Sequence, residues 1–165
     1  MSGKNFITIL GVGNILLKDE GFGVHFVRWF SERYQLPENV KAIDGGTRGY
    51  ALLDIICSCD HLIAIDVIKT KDIPGSIYRF NAEEMRIHMP APTSAHEVEF
   101  FDVLFQAELL GESPEVTFLC IVPQDYGDMD LEMNAIMQEK FSTMETLLLK
   151  ELEHHKIFPT RTTYA

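Results

Sequence analysis

Three stretches of strand length, Phe6–Leu10, Leu62–Ile68 and Val116–Val122, are apolar at almost every position. A strand with one wet face alternates between apolar and polar residues, whereas a near-continuous apolar run has to be covered on both faces. A chain built on several such runs therefore needs helices above and below a sheet, and the intervening segments are patterned to supply them.

After the first run, Phe22, Phe26 and Phe30 fall on one helical face, widened by Gly23, Val27 and Tyr34. This helix is predicted to end before Pro37. Val40–Ile43 then reads as a short strand closed by Asp44-Gly45-Gly46-Thr47, completing a βαβ unit. A second helix, from about Gly49 to Cys59, leads into Leu62–Ile68. Pro74-Gly75 marks a turn, and Ser76–Phe80 reads as a strand running back antiparallel. The segment Asn81–Thr93, with Pro90 and Pro92, is predicted to be a long loop. Ser94-Ala95-His96-Glu97 has the form of a capping box that opens a helix through Phe101, Leu104, Phe105 and Leu109 to Gly111. Met133, Met137, Phe141, Met144, Leu148 and Leu152 form one stripe of a final helix, and its methionines are assigned to core packing. The tail from Ile157 lacks periodicity and is expected to be mobile. The predicted fold is a three-layer α/β/α sandwich around a mainly parallel, mixed sheet of five strands, forming one domain over residues 1–165.

Charged residues make up 24% of the chain and the formal net charge is −11, which argues against non-specific affinity for nucleic acid or an anionic membrane. No amino-terminal stretch combines a basic start, an apolar run and a small-residue cleavage site, and no apolar run is long enough to span a bilayer, so a cytoplasmic location is expected. Cys57, Cys59 and Cys120 are an odd number without an export signal, and they are read as buried or inert rather than as a disulfide framework.

The loop after the first strand, Gly11-Val12-Gly13, resembles the opening of a dinucleotide-binding turn. The third glycine of that motif would fall at Leu16, and Asp19 with Glu20 would repel a pyrophosphate, so nucleotide binding becomes a minor alternative. Acidic residues also suit a helix start, which gives Asp19 and Glu20 an ordinary structural explanation beside a chemical one. Asp66 is the least expected residue of the chain, because an ionised carboxylate inside an apolar run is costly unless paired, hydrogen-bonded or bound to metal. It could equally cap a loop at the strand end. His96 falls in the first turn of a helix, where imidazolium is disfavoured and the neutral, metal-ligating form is kept, although a lone histidine is more often a surface residue. In open α/β sheets ligands gather beyond the carboxyl ends of the strands, where Glu20, Asp44 to Thr47, Asp66 and the segment bearing His96 can share one rim.

Taken together, Gly11-Val12-Gly13-Asn14-Ile15-Leu16-Leu17-Lys18-Asp19-Glu20-Gly21-Phe22-Gly23, Asp44-Gly45-Gly46-Thr47, Ile65-Asp66 and Ser94-Ala95-His96 resemble the [NiFe]-hydrogenase maturation endopeptidases over nearly the whole chain. The resemblance implies a phosphorylase/hydrolase-like sandwich and a peptidase that trims a short carboxy-terminal extension from the hydrogenase large-subunit precursor once nickel is in place. It implies Glu20, Asp66 and His96 as metal ligands, with nickel supplied by the substrate and zinc or cadmium able to replace it in a structure. A monomer with no nucleic-acid or membrane partner is expected. The stretch Cys120-Ile121-Val122-Pro123-Gln124-Asp125 departs from the family's usual glycine-containing turn, and residues 85–93 do not match it position by position. Hydrolysis by water with an aspartate as general base leaves Asp19, Asp44 and Asp66 as alternatives. A nickel carrier without hydrolytic activity is the competing reading.

Overall fold

The computed structural model describes residues 5–88, 91–92 and 95–163, excluding the side chain of His96. Its central sheet contains β1 (Ile7–Val12), β3 (Val40–Gly46), β4 (His61–Val67), β5 (Ile77–Asn81) and β6 (Glu115–Ile121) in the order β3-β1-β4-β6-β5. Every neighbouring pair is parallel except β5 with β6, which is antiparallel. The mixed five-stranded sheet is therefore as expected from the sequence.

Period-two geometry sorts the strand residues between two cores. On one face Ile9, Ile63, Ile65 and Leu119 pack with α1 (Phe22–Arg33), α5 (Ala135–Glu139) and α6 (Phe141–His154). On the other, Leu10, Leu62, Ala64, Phe118 and Cys120 pack with α2 (Leu53–Cys57), α3 (Ala82–His88) and α4 (Ala95–Leu109). Phe22, Phe26 and Phe30 are fully buried on α1 as their spacing predicts, each contributing about 1.5–3 kcal/mol of burial energy. Met137, Met144, Leu148 and Leu152 are also fully buried, so the methionine stripe is core.

Three sequence expectations are corrected. The first half of the predicted loop Asn81–Thr93 is the helix α3, capped reciprocally: Asn81 Oδ1 accepts from the Glu84 amide at 2.8 Å, and a Glu84 carboxylate oxygen accepts from the Asn81 amide at 2.9 Å. The local capping signal outweighed the loop-like charge run. The final helix is interrupted at Lys140 into α5 and α6. The tail is not unstructured throughout, because β7 (Thr160–Arg161) pairs antiparallel with β2 (Tyr34–Gln35), the strand that follows α1.

The close approach of α1 to the sheet rests on Gly23. A Cβ there would meet the Ile65 carbonyl oxygen at 2.1 Å and the Val12 carbonyl oxygen at 2.6 Å, both rigid backbone of the central strands. Gly23→Ala is therefore expected to cost about 3 kcal/mol or more, at or above the usual penalty for overpacking. Chemical denaturation would check this, and a change below about 1 kcal/mol would show that helix and sheet can separate without strain.

Candidate functional site

The site grows from the carboxyl end of β1. Gly11 lies beside Asp44 of β3 and beside Ile65 of β4, so the residues that close all three strands converge there. A β-bulge follows Gly11, and Gly13 then adopts φ +139°. A side chain at Gly13 would collide with the Glu20 carbonyl oxygen at 2.0 Å. The two loop glycines thus allow the chain to fold tightly onto the short 3-10 turn Lys18–Gly21, which carries Asp19 and Glu20 into the interior at the head of α1. Packing replaces the phosphate-binding explanation of these glycines.

Asp19 is fully buried, and its carboxylate is an organising centre. Oδ1 accepts from the Asn134 amide at 2.8 Å; Oδ2 accepts from the amides of Gln124 at 3.0 Å and Asp125 at 2.8 Å, and from Asn134 Nδ2 at 2.9 Å. These bonds tie the loop after β6 to the loop after β1. Backbone bonds reinforce the tie: the Lys18 amide donates to the Asp130 carbonyl at 2.9 Å, and the Asp130 amide to the Leu16 carbonyl at 3.0 Å. Lys18 Nζ sits 3.2 Å from Asp125 and 3.3 Å from Asp128. The Gly127 amide and then the Lys18 ammonium hold the Asp125 carboxyl down at about 2, while hydrogen bonds to Asp125 and Asp128 push the Lys18 ammonium above its usual range.

Asp44 and Asp66 have opposite orientations. Asp44 shares the phase of Ala42 toward α1, where Arg28 Nε and Nη2 donate to Oδ2 at 2.9 and 2.5 Å. Asp66 shares the phase of Leu62 and Ala64 toward α3 and α4. It is only 8% exposed, and its Oδ1 accepts from the Val67 amide at 2.7 Å. The two carboxylates therefore do not form a facing pair. Glu20, 1% exposed, lies on the turn that packs against β4, the strand of Asp66.

A cavity of ≈30 Å³ beside Asp66 is lined also by Lys69, Met85, Phe101, Cys120 and, from the first turn of α4, Glu97. His96 immediately precedes Glu97, which brings the backbone of the predicted ligand to this end of the sheet; its side chain lies outside the described residues, as does Ser94 of the predicted capping box. Among the described residues no set of three His, Cys, Asp or Glu side chains is arranged to hold a metal.

No disulfide joins Cys57, Cys59 and Cys120. Burial, and after it the carboxylates of Asp66 and Glu97, push the Cys120 thiol far above its usual range, so it stays protonated and is not an activated nucleophile. Arg28 and Asn134 carry no signal in the sequence, and Lys18 enters there only as one position of the stretch Gly11–Gly23. Each contributes a long-range contact that no local spacing announces.

The fold and site define an α/β protein with an acidic rim at the carboxyl end of a parallel sheet. The hydrogenase maturation protease family profile matches residues 24–151. The chain is 38% identical over 120 residues to the hydrogenase 2 maturation protease of Escherichia coli, covering 72% of this chain and 73% of that protein. It is 40% identical over 115 residues to the hydrogenase expression/formation protein HupD of Bradyrhizobium diazoefficiens, covering 69% of this chain but 60% of that relative's length. The fold superimposes on the hydrogenase maturating endopeptidase HybD of E. coli with a TM-score of 0.89 and 31% identity, over 94% of this chain and 97% of that one. The chain belongs to the hydrogenase maturation protease family.

Proposed function

We propose that this protein is the endopeptidase that removes a short carboxy-terminal extension from the large-subunit precursor of a [NiFe] hydrogenase, acting as a monomer on the nickel-loaded form. The observation that carries the proposal is two buried carboxylates, Glu20 on the turn that packs against β4 and Asp66 at the carboxyl end of that strand, where its cavity is lined also by Glu97, the residue after His96. Two carboxylates and one imidazole suit a borderline divalent ion with coordination positions left open, and here that ion belongs to the substrate. Recognition of substrate nickel would hold the scissile bond against the rim.

Of the three aspartates considered as general base, Asp66 fits best. Asp19 is committed to four hydrogen bonds, and Asp44 is clasped by Arg28 on the other side of the sheet. The Val67 amide fixes the Asp66 carboxylate beside a cavity large enough for one water. In this reading Asp66 contacts substrate nickel or accepts a proton from the attacking water, Glu20 and His96 complete the nickel contacts, and Asp19 and Arg28 position the loops around them.

The test mixes the purified protein with matched nickel-loaded and nickel-free precursors. Release of a carboxy-terminal peptide from the loaded precursor alone is the expected result. Equal cleavage of both would remove nickel recognition, whereas nickel transfer with no peptide released would favour a carrier.

A further inference from the structure

A second, larger cavity of ≈550 Å³ opens between α3 and α4, and its walls include Met85, Phe101, Leu104, Phe105, Val116 and Phe118. It shares Met85, Phe101 and Phe118 with the small cavity beside Asp66. The two spaces follow one face of β6: Cys120, Phe118 and Val116 alternate along it from the rim toward the strand's amino end. Four residue steps at strand rise set Cys120, at the small cavity, about 13 Å from Val116, at the large one. Arg86 and Glu108 pair at 2.8 Å on the outer wall, so the charged groups there neutralise each other and the floor remains apolar.

We propose that this groove is the subsite for the extension itself, receiving residues on the carboxyl side of the scissile bond with their apolar side chains against Phe105, Leu104 and Phe118. The inference rests on the peptidase reading above. Its occupant follows from shape and continuity. On the amino side of the bond the substrate is a folded, metal-bearing subunit that cannot enter a slot between two helices, whereas a free extended tail can. The small cavity, with room for one water, places Asp66 at the rim end of that slot, and Met85 walls both spaces, between the water site and the extended tail. An apolar floor would select against charged residues at these positions, because burying them without a partner is costly.

Phe105 offers the cleanest test because it is 56% exposed and can be changed without opening the core. Phe105→Glu is expected to raise KM for a nickel-loaded precursor with an apolar extension by roughly tenfold, with little change in kcat. Phe105→Ser should act in the same direction but less strongly. Wild-type protein should process a precursor with an aspartate-substituted extension poorly, and Phe105→Lys should recover part of that loss. Fluorescence anisotropy with a labelled apolar peptide matching the extension gives a readout independent of cleavage, and Phe105→Glu should weaken that binding. If the wild type cleaves the precursor but neither KM nor peptide affinity moves in Phe105→Glu, the groove assignment is wrong while the peptidase reading stands. If the wild type cleaves nothing, the peptidase reading fails, and peptide affinity alone decides the groove: loss in Phe105→Glu supports it and equal affinity overturns it.

Discussion

An Asp66→Asn variant is expected to keep its fold and lose peptide release, with the rate falling by roughly 10²–10⁴-fold, the range associated with removal of a general acid or base. The asparagine side-chain oxygen can still accept from the Val67 amide, whose bond to Asp66 is 2.7 Å. It carries no charge for a divalent ion and is a very weak proton acceptor. The residue ends a strand beside a cavity rather than filling the core, so stability should change by less than about 1–2 kcal/mol. Thermal denaturation together with the processing assay separates these quantities. Wild-type release by Asp66→Asn would remove Asp66 from the chemistry, and a large loss of stability would make its role structural.

The opposite pattern is expected at Asp19. Asp19→Ala would strand the amides of Gln124, Asp125 and Asn134 and the Asn134 side-chain N–H, all of which now meet the buried carboxylate. Removing one partner from such a buried, charge-assisted network costs about 3–5 kcal/mol. Asparagine would not restore it, because at least one donor would face the new amide NH₂. The expected result is a denaturation midpoint shifted strongly downward and increased proteolysis between Gln124 and Asn134. Loss of activity with unchanged stability would instead return Asp19 to the catalytic residues.

These two residues show what the sequence made legible. Asp66 stands out as an acid inside an apolar run and Asp19 suits a helix start, yet their local patterns leave both eligible as base. The distinction comes from contacts more than 100 residues apart along the chain for Asp19, and from strand phase for Asp44 and Asp66. The alternation of apolar runs and helical stripes was sufficient for the layers and for the mixed sheet, because burial on two faces leaves few other arrangements. Pairing of two-residue strands was not legible: β2 and β7 have no periodicity to read, and only tertiary proximity makes them partners. The helix α3 was legible in principle, since Asn81-Ala82-Glu83-Glu84 carries its own cap, but nearby prolines and charges concealed it.

The pairing of β2 with β7 also fixes where the chain goes after α6. α1 begins at the acidic rim and runs back along the sheet for 12 residues, about 18 Å at helical rise, before reaching β2. The stretch that follows α6 is fastened there, at the pole remote from Asp66, with its Thr160–Arg161 backbone engaged in a ladder. Its N–H and C=O groups meet those of Tyr34–Gln35, so the stretch after α6 and the stretch after α1 close on each other as a separate two-stranded sheet.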